Sequence, residues 1–296
     1  MSRLRALFAA ALGSAAGSIG VYSLYRSRRR WLGRLIGLPP SIIFDVIVDR
    51  GVTIPLPDGV TLDAVHYRPV AGGALPAILI RTPYGLPHEV PRPLRAMHDF
   101  PAQRFAERGY HVLIVSTRGR FGSGGEFTPF VNEAADGRAV LDWIAQQSWF
   151  GGALGTFGAS YVGYTQWAVA ADAPPYLKAL VPLVTGANIA RAFLHDGAFN
   201  LDTMLRWLLV VAGPAYEPHQ STPRWLYFNS PAADQKYLQP AFKHLPLETA
   251  DEIVAGRPVG WYRRWLQYPD LRDPYWQTVD HRRTLPRVNI PVHLIG

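Results

Sequence analysis

The sequence predicts an α/β protein: a mostly parallel sheet flanked by helices, with a helical cap inserted late in the chain. Three observations predict it. An alternating hairpin pattern over 44–67 gives way to continuous apolar runs separated by helical stretches. One of those runs ends abruptly in small residues around Ser160 and passes straight into an Ala-rich helical pattern. Roughly a hundred residues without strand patterning then precede a final apolar run, Val288 to Ile295.

The chain of 296 residues, 48% apolar and 12% aromatic, can fill a sizeable core. Its net charge of +8 would suit nucleic acid if it were spread over the fold, but residues 1–44 hold seven arginines and no acid. The rest has 23 bases against 22 acids, so the basic signal belongs to the amino-terminal arm and nucleic-acid binding is not expected. The chain has no cysteine, which excludes disulfides, thiolate metal sites and cysteine nucleophiles.

The arm, residues 1–41, carries an apolar run over 6–25 between two arginine-containing segments. Its length suits a bilayer span, whereas its alanine, glycine and serine content suits one poorly. A membrane anchor, a cleaved export signal and a solvated extension all fit. The protein is accordingly cytoplasmic or associated with a membrane through 6–25, and the denser arginine cluster after the run would keep the body on the cytoplasmic side.

The domain is expected over 42–296. Phe44 to Pro55 and Val60 to Tyr67 alternate around the turn Pro57-Asp58-Gly59, an antiparallel hairpin in which His66 is an ordinary strand residue. Leu75 to Ile80 is a strand buried on both faces, opening into Arg81-Thr82-Pro83-Tyr84-Gly85. A helix over Phe100 to Arg108 and a strand over Tyr110 to Val115 follow. The glycine-rich loop after them, Thr117 to Phe127, lacks the lysine spacing and helix start of a phosphate-binding loop. Asn132 is placed to cap a helix over Glu133 to Gln147.

Leu154 to Trp167 organises the rest. It reads as strand, sharp turn, helix: an elbow that exposes Ser160, with Gly158, Ala159 and Gly163 leaving room for the bend. The second glycine stands three places after the serine, and Val162 occupies the more common position. A small-residue turn without chemistry would look the same. Leu177 to Val184 resumes as a strand, and the cap, about 187–285, is read as helices over Phe193 to Val211, Asp234 to Phe242 and Leu247 to Ala255. Trp207, Trp225, Tyr227, Trp261, Trp265, Tyr268 and Trp276 either line a pocket there or fill its core.

Taken together, the order and spacing of Arg81-Thr82-Pro83-Tyr84-Gly85, Arg118 to Phe127, Glu133 to Gly137 with Asp142-Trp143, Trp149 and Gly155 to Gly163 with Gln166 resemble one family. It is that of serine hydrolases including cocaine esterase, X-Pro dipeptidyl-peptidases and α-amino-acid ester hydrolases, built on the α/β-hydrolase fold. The resemblance runs from about Asp45 to Gly296. It implies Ser160 as nucleophile, the Tyr161 backbone N–H and the Tyr84 phenol as oxyanion donors, a small ester, amide or peptide substrate, and no metal or organic cofactor. It also implies an acid and a histidine late in the fold, and a further carboxyl-terminal domain; the chain is therefore expected to be truncated and inactive alone. His195, His219, His244, His281 with Asp280, and His293 are poor candidates for the missing base. Where such sequences carry an aspartate before the Arg-Gly loop, this one has Ser116, so an ion pair is expected to be lost. The alternative to an enzyme is a truncated or membrane-tethered interaction module without turnover. Oligomeric state is not legible.

Overall fold

Six strands build the sheet that carries the candidate site: β1 (Val46–Pro55), β2 (Thr61–Pro69), β3 (Leu75–Thr82), β4 (His111–Ser116), β5 (Phe150–Ala159) and β6 (Leu177–Leu183). The computed structural model describes residues 45–70, 73–89, 92–195, 197–212 and 230–296, together with Leu35 and Gly37. The apolar run 6–25, Asp196, His219, Trp225 and Tyr227 lie outside the described residues, as does nearly all of the arm. Among the described residues no helix is long and apolar enough to cross a membrane.

The strand order is β1-β2-β4-β3-β5-β6. β1, β2 and β4 pair antiparallel, and β4, β3, β5 and β6 run parallel, so every loop at the carboxyl ends of the parallel strands opens on one edge. All six residues of β4 are buried, as its unbroken apolar run requires. Because side chains alternate along a strand, Val112 and Ile114 share one core with Val65, Tyr67, Ile80 and residues Ala102 and Ala106 of α1 (Arg92–Ala106). Leu113 and Val115 share the other with Ala77, Leu79 and residues Val140, Leu141 and Ile144 of α2 (Glu133–Ala145). The elbow helix α3 (Tyr161–Ala170) is apolar all round and correspondingly buried on every side.

Several element ends differ from expectation. α1 begins at Arg92, not Phe100, and continues through Pro101, whose missing N–H discourages any helical reading across it. The helix expected over Phe193 to Val211 starts only at Leu201. Before it Leu194–His195 pairs antiparallel with Ala198–Phe199, and the Asn200 side chain then accepts from the Thr203 amide at 3.3 Å, capping α4 (Leu201–Ala212). The helix expected over Asp234 to Phe242 is present within a helical stretch over 231–242, and the short helices α5 (Ala250–Ala255) and α6 (Gly260–Gln267) follow; α6 was not legible as a separate element. The last expected strand is reduced to two isolated parallel bridges on β6, Leu180 to Val292 and Leu183 to Ile295. Pro182 on one side and Pro291 on the other lack the N–H that a continuous ladder needs.

The cap has its own core, in which Met204, Leu205 and Leu208 pack with Trp261, Trp265 and Trp276. Trp265 and Trp276 are fully enclosed, so these two fill the cap and do not line a cleft.

At the opposite end of β4, His66 Nε2 and His111 Nδ1 lie 2.8 Å apart, with the Trp149 ring 4.5 Å and 4.6 Å from the two imidazoles. Burial pushes both imidazoles down to about 4 from 6.5, and the neighbouring His111 further disfavours a charge on His66. Their depressed values favour the folded state above pH 6.5; this contribution is lost as the pH falls from about 6.5 towards 4. Urea midpoints are therefore expected to drop by the equivalent of about 2–3 kcal/mol for the first proton taken up between pH 7 and 4.5. A His66→Phe variant should show a shallower pH slope; an unchanged slope would place the acid sensitivity elsewhere.

Candidate active site

Ser160 joins β5 to α3 at φ 57° and ψ −122°, a backbone conformation that costs a non-glycine residue about 1–3 kcal/mol. The bend is held from both sides. The Ser160 amide donates to the Leu183 carbonyl at 2.9 Å, and the Ser160 carbonyl accepts from the Gly163 and Tyr164 amides, each at 2.9 Å. The Ser160 side chain makes no capping bond and is exposed.

The two glycines explain the unusual spacing of the elbow. Gly158 sits at φ 149°, where a side chain would collide with Val162 Cγ1. A side chain on Gly163 would collide with Thr185 Cγ2 in the loop after β6. Val162 thus fills the space Gly158 leaves, and the close approach that demands a glycine falls one residue later, against Thr185. Beneath the bend the Gln166 carbonyl oxygen accepts from Thr156 Oγ1 at 2.8 Å and the Val181 amide at 2.9 Å. Its amide nitrogen reaches the Gly158 carbonyl at 3.2 Å and that of Val181 at 3.1 Å, tying β5, α3 and β6 together.

Tyr84 stands at the carboxyl end of β3, its amide donating to Thr82 Oγ1 at 3.1 Å. Its phenol lies within reach of the Ser160 side chain and the Tyr161 backbone amide, both of which oppose the effect of burial on it. It accepts from Trp207 Nε1 at 3.4 Å. Burial pushes the phenol up from its ordinary 10, and the hydrogen bonds from its neighbours only partly offset that, so it keeps its proton at neutral pH. Sequence reasoning proposed Ser160, Tyr84 and the Tyr161 amide separately; the fold brings the three together. An oxygen entering between the Tyr84 O–H and the Tyr161 N–H would meet two donors.

The Tyr161 side chain points the other way, into the core. Its hydroxyl donates to Glu133 Oε1 at 2.7 Å and accepts from the Phe130 amide at 2.9 Å. Glu133 in turn receives Arg81 Nη2 on Oε2 at 2.5 Å. Burial raises the Glu133 carboxyl, and the Arg81 guanidinium opposes the rise. This network anchors the start of α3, and its members lie in motifs the sequence had set aside as family signatures without roles. The predicted side-chain cap from Asn132 is not formed; the first turn of α2 instead carries Glu133 and Asp136, acids that suit a helix amino terminus.

The expected loss of an ion pair at Ser116 is compensated. Ser116 Oγ donates to the Arg120 carbonyl at 3.0 Å, and Arg118 finds Asp136 through two bonds of 2.6 Å and 2.9 Å and Asp58 through a third of 2.7 Å. His244 bonds Thr249 Oγ1 at 2.7 Å, His281 bonds the Tyr164 hydroxyl at 3.0 Å, and the Asp280 carboxylate pairs with Arg282, so these groups are engaged away from Ser160. His195 and His293 are exposed, on a short strand and beside β6 respectively. Among the described residues Asp63, His88 and Glu89 bring potential metal-ligand atoms within 4.8 Å of one another, with Glu89 Oε2 already accepting from the Leu86 amide at 2.7 Å.

The sheet order, the elbow and the inserted cap define an α/β-hydrolase fold. Solved structures show the same architecture: a CocE/NonD family hydrolase from Staphylococcus aureus superposes with TM-score 0.58 at 21% identity, over 83% of this chain and 40% of that one. An aminopeptidase from the marine sediment archaeon Thaumarchaeota archaeon gives 0.62 at 22%, over 86% and 43%. Residues 58–296 match the X-Pro dipeptidyl-peptidase (S15 family) profile, and the chain belongs to that family. It is 33% identical over 237 residues to cocaine esterase from Rhodococcus sp. (strain MB1 Bresler), covering 78% of this chain and 40% of the relative's length.

Proposed function

We propose that the protein is a serine hydrolase that cleaves an ester or amide through an acyl-enzyme. The observation that carries the reading is Ser160 exposed on a strained elbow, with the Tyr84 phenol within reach of its side chain and of the Tyr161 amide. Ser160 Oγ attacks the substrate carbonyl carbon and gives up its proton to a base. The carbonyl oxygen, now an oxyanion, accepts from the Tyr84 O–H and the Tyr161 N–H. The protonated base then delivers that proton to the departing alcohol or amine, and water repeats the cycle on the acyl group. Cocaine esterase, matched along most of the chain, supports an ester or amide carbonyl as the reacting group.

In this reading His244, His281 and Asp280 are not the base and its orienting acid, because they are committed to other partners. The chain spans about 40% of the length of the cocaine esterase it matches. Without a base Ser160 is a weak alcohol, so turnover depends on one. A fluorophosphonate probe is expected to label the full-length protein at Ser160 and to spare its Ser160→Ala variant. Equal labelling of the two would reject the assignment, and labelling of neither would favour a non-catalytic module.

A further inference from the structure

We infer that the cap helix α4 sets the direction of the Tyr84 proton, with Trp207 as a positioning residue for the oxyanion donor. The inference rests on the serine-hydrolase reading above. A phenol oxygen has one proton to give and lone pairs to receive with, and an indole N–H can only donate. Trp207 Nε1, at 3.4 Å, therefore occupies a lone pair of Tyr84 Oη, with the Tyr161 amide and Ser160 as the other polar neighbours of that oxygen. With the indole on a lone pair, the proton of Tyr84 is left for the other neighbours of the oxygen, on the side of Ser160.

The consequence is sharper once a substrate is present. A carbonyl oxygen that takes the Tyr161 N–H for itself leaves Trp207 as the donor to Tyr84. Without it the phenol could turn its O–H away about the C–O bond. With it, the proton stays aimed at the developing charge, and the chain of bonds from indole to phenol to oxyanion strengthens each member.

Trp207 is itself held firmly. It is buried, and its ring lies nearly parallel to those of Trp265 (3°, 6.0 Å), Tyr161 (13°, 6.3 Å) and Phe130 (17°, 5.8 Å). Arg120 makes a second fastening between the same two segments. Its Nε donates to the Pro83 carbonyl, adjoining Tyr84, at 2.8 Å, and its Nη1 to the Val211 carbonyl, one turn beyond Trp207 on α4, at 2.9 Å. The cap helix and the Tyr84 turn are thus registered to one another at two points.

The test is a double-mutant cycle in the full-length protein on a p-nitrophenyl ester, with Ser160→Ala as the blank. Trp207→Phe is expected to lower kcat about 5- to 10-fold, the worth of one orienting hydrogen bond, with KM nearly unchanged. In a Tyr84→Phe background the same change should cost almost nothing, because there is no phenolic proton left to aim. Replacing Trp207 by 3-benzothienylalanine, which keeps the shape without the N–H, should reproduce the loss while leaving the melting temperature in place. Equal losses in both backgrounds, a change confined to KM, or full activity of the benzothienyl protein would overturn the inference. Turnover that is the same in wild type and Ser160→Ala would overturn the serine-hydrolase reading first, and this one with it.

Discussion

Replacing Tyr84 by Phe is expected to lower kcat of the full-length protein by ~10²–10³-fold while leaving KM close to that of the wild type. The substitution removes one oxygen and keeps the ring against the cap core that Tyr84 joins. Stability should therefore change little, and the loss should be kinetic. The effect falls on kcat because the oxyanion forms after binding: a donor aimed at it contributes more in the transition state than in the ground state. Burial holds the Tyr84 phenol protonated well past neutrality, so the loss should be independent of pH between 6 and 9. Initial rates across that range check both statements. A Phe variant within ~3-fold of wild type would make Tyr84 a turn residue and leave the Tyr161 amide as sole donor.

The sheet and the elbow could be read from the sequence because their causes are local. A fully buried strand such as β4 has to be an uninterrupted apolar run, and Ser160 can take its strained backbone only with Gly158 and Gly163 giving space on either side. The cap was harder for the opposite reason. Leu194 to Phe199 fits a helical period, yet it folds into two paired dipeptides, and Asn200 then starts the helix anew. Helix α6 is short, and its signal, Trp261 and Trp265 one turn apart beside Tyr262, was indistinguishable from the general aromatic richness of the tract. Within the site, what escaped was long-range pairing. Arg118 finds its acid 18 residues away in Asp136, and Trp207 reaches a phenol 123 residues earlier. No spacing rule connects such positions; only the folded sheet and cap bring them together.

Glu133→Ala should be the most destabilising single change near the site, costing about 3–5 kcal/mol as read from urea midpoints of the full chain. Arg81 and Glu133 are each about 3% exposed, so water cannot replace the carboxylate when it is removed. Arg81 Nη1 would retain the Glu133 backbone carbonyl at 2.7 Å, but Nη2 would lose its acceptor, and Nε has no partner among the described residues. The guanidinium is packed closely against α2, where a side chain on Gly137 would collide with Arg81 Nη1. The result is a charge left in the core beside a Tyr161 hydroxyl that has also lost its acceptor. If that uncompensated charge is the cause, a second substitution that removes it, Arg81→Met, should recover a good part of the loss, so that the double variant is more stable than Glu133→Ala. A double variant less stable than either single one would show instead that the two side chains act mainly by filling space, and that the ion pair contributes little to holding the start of α3.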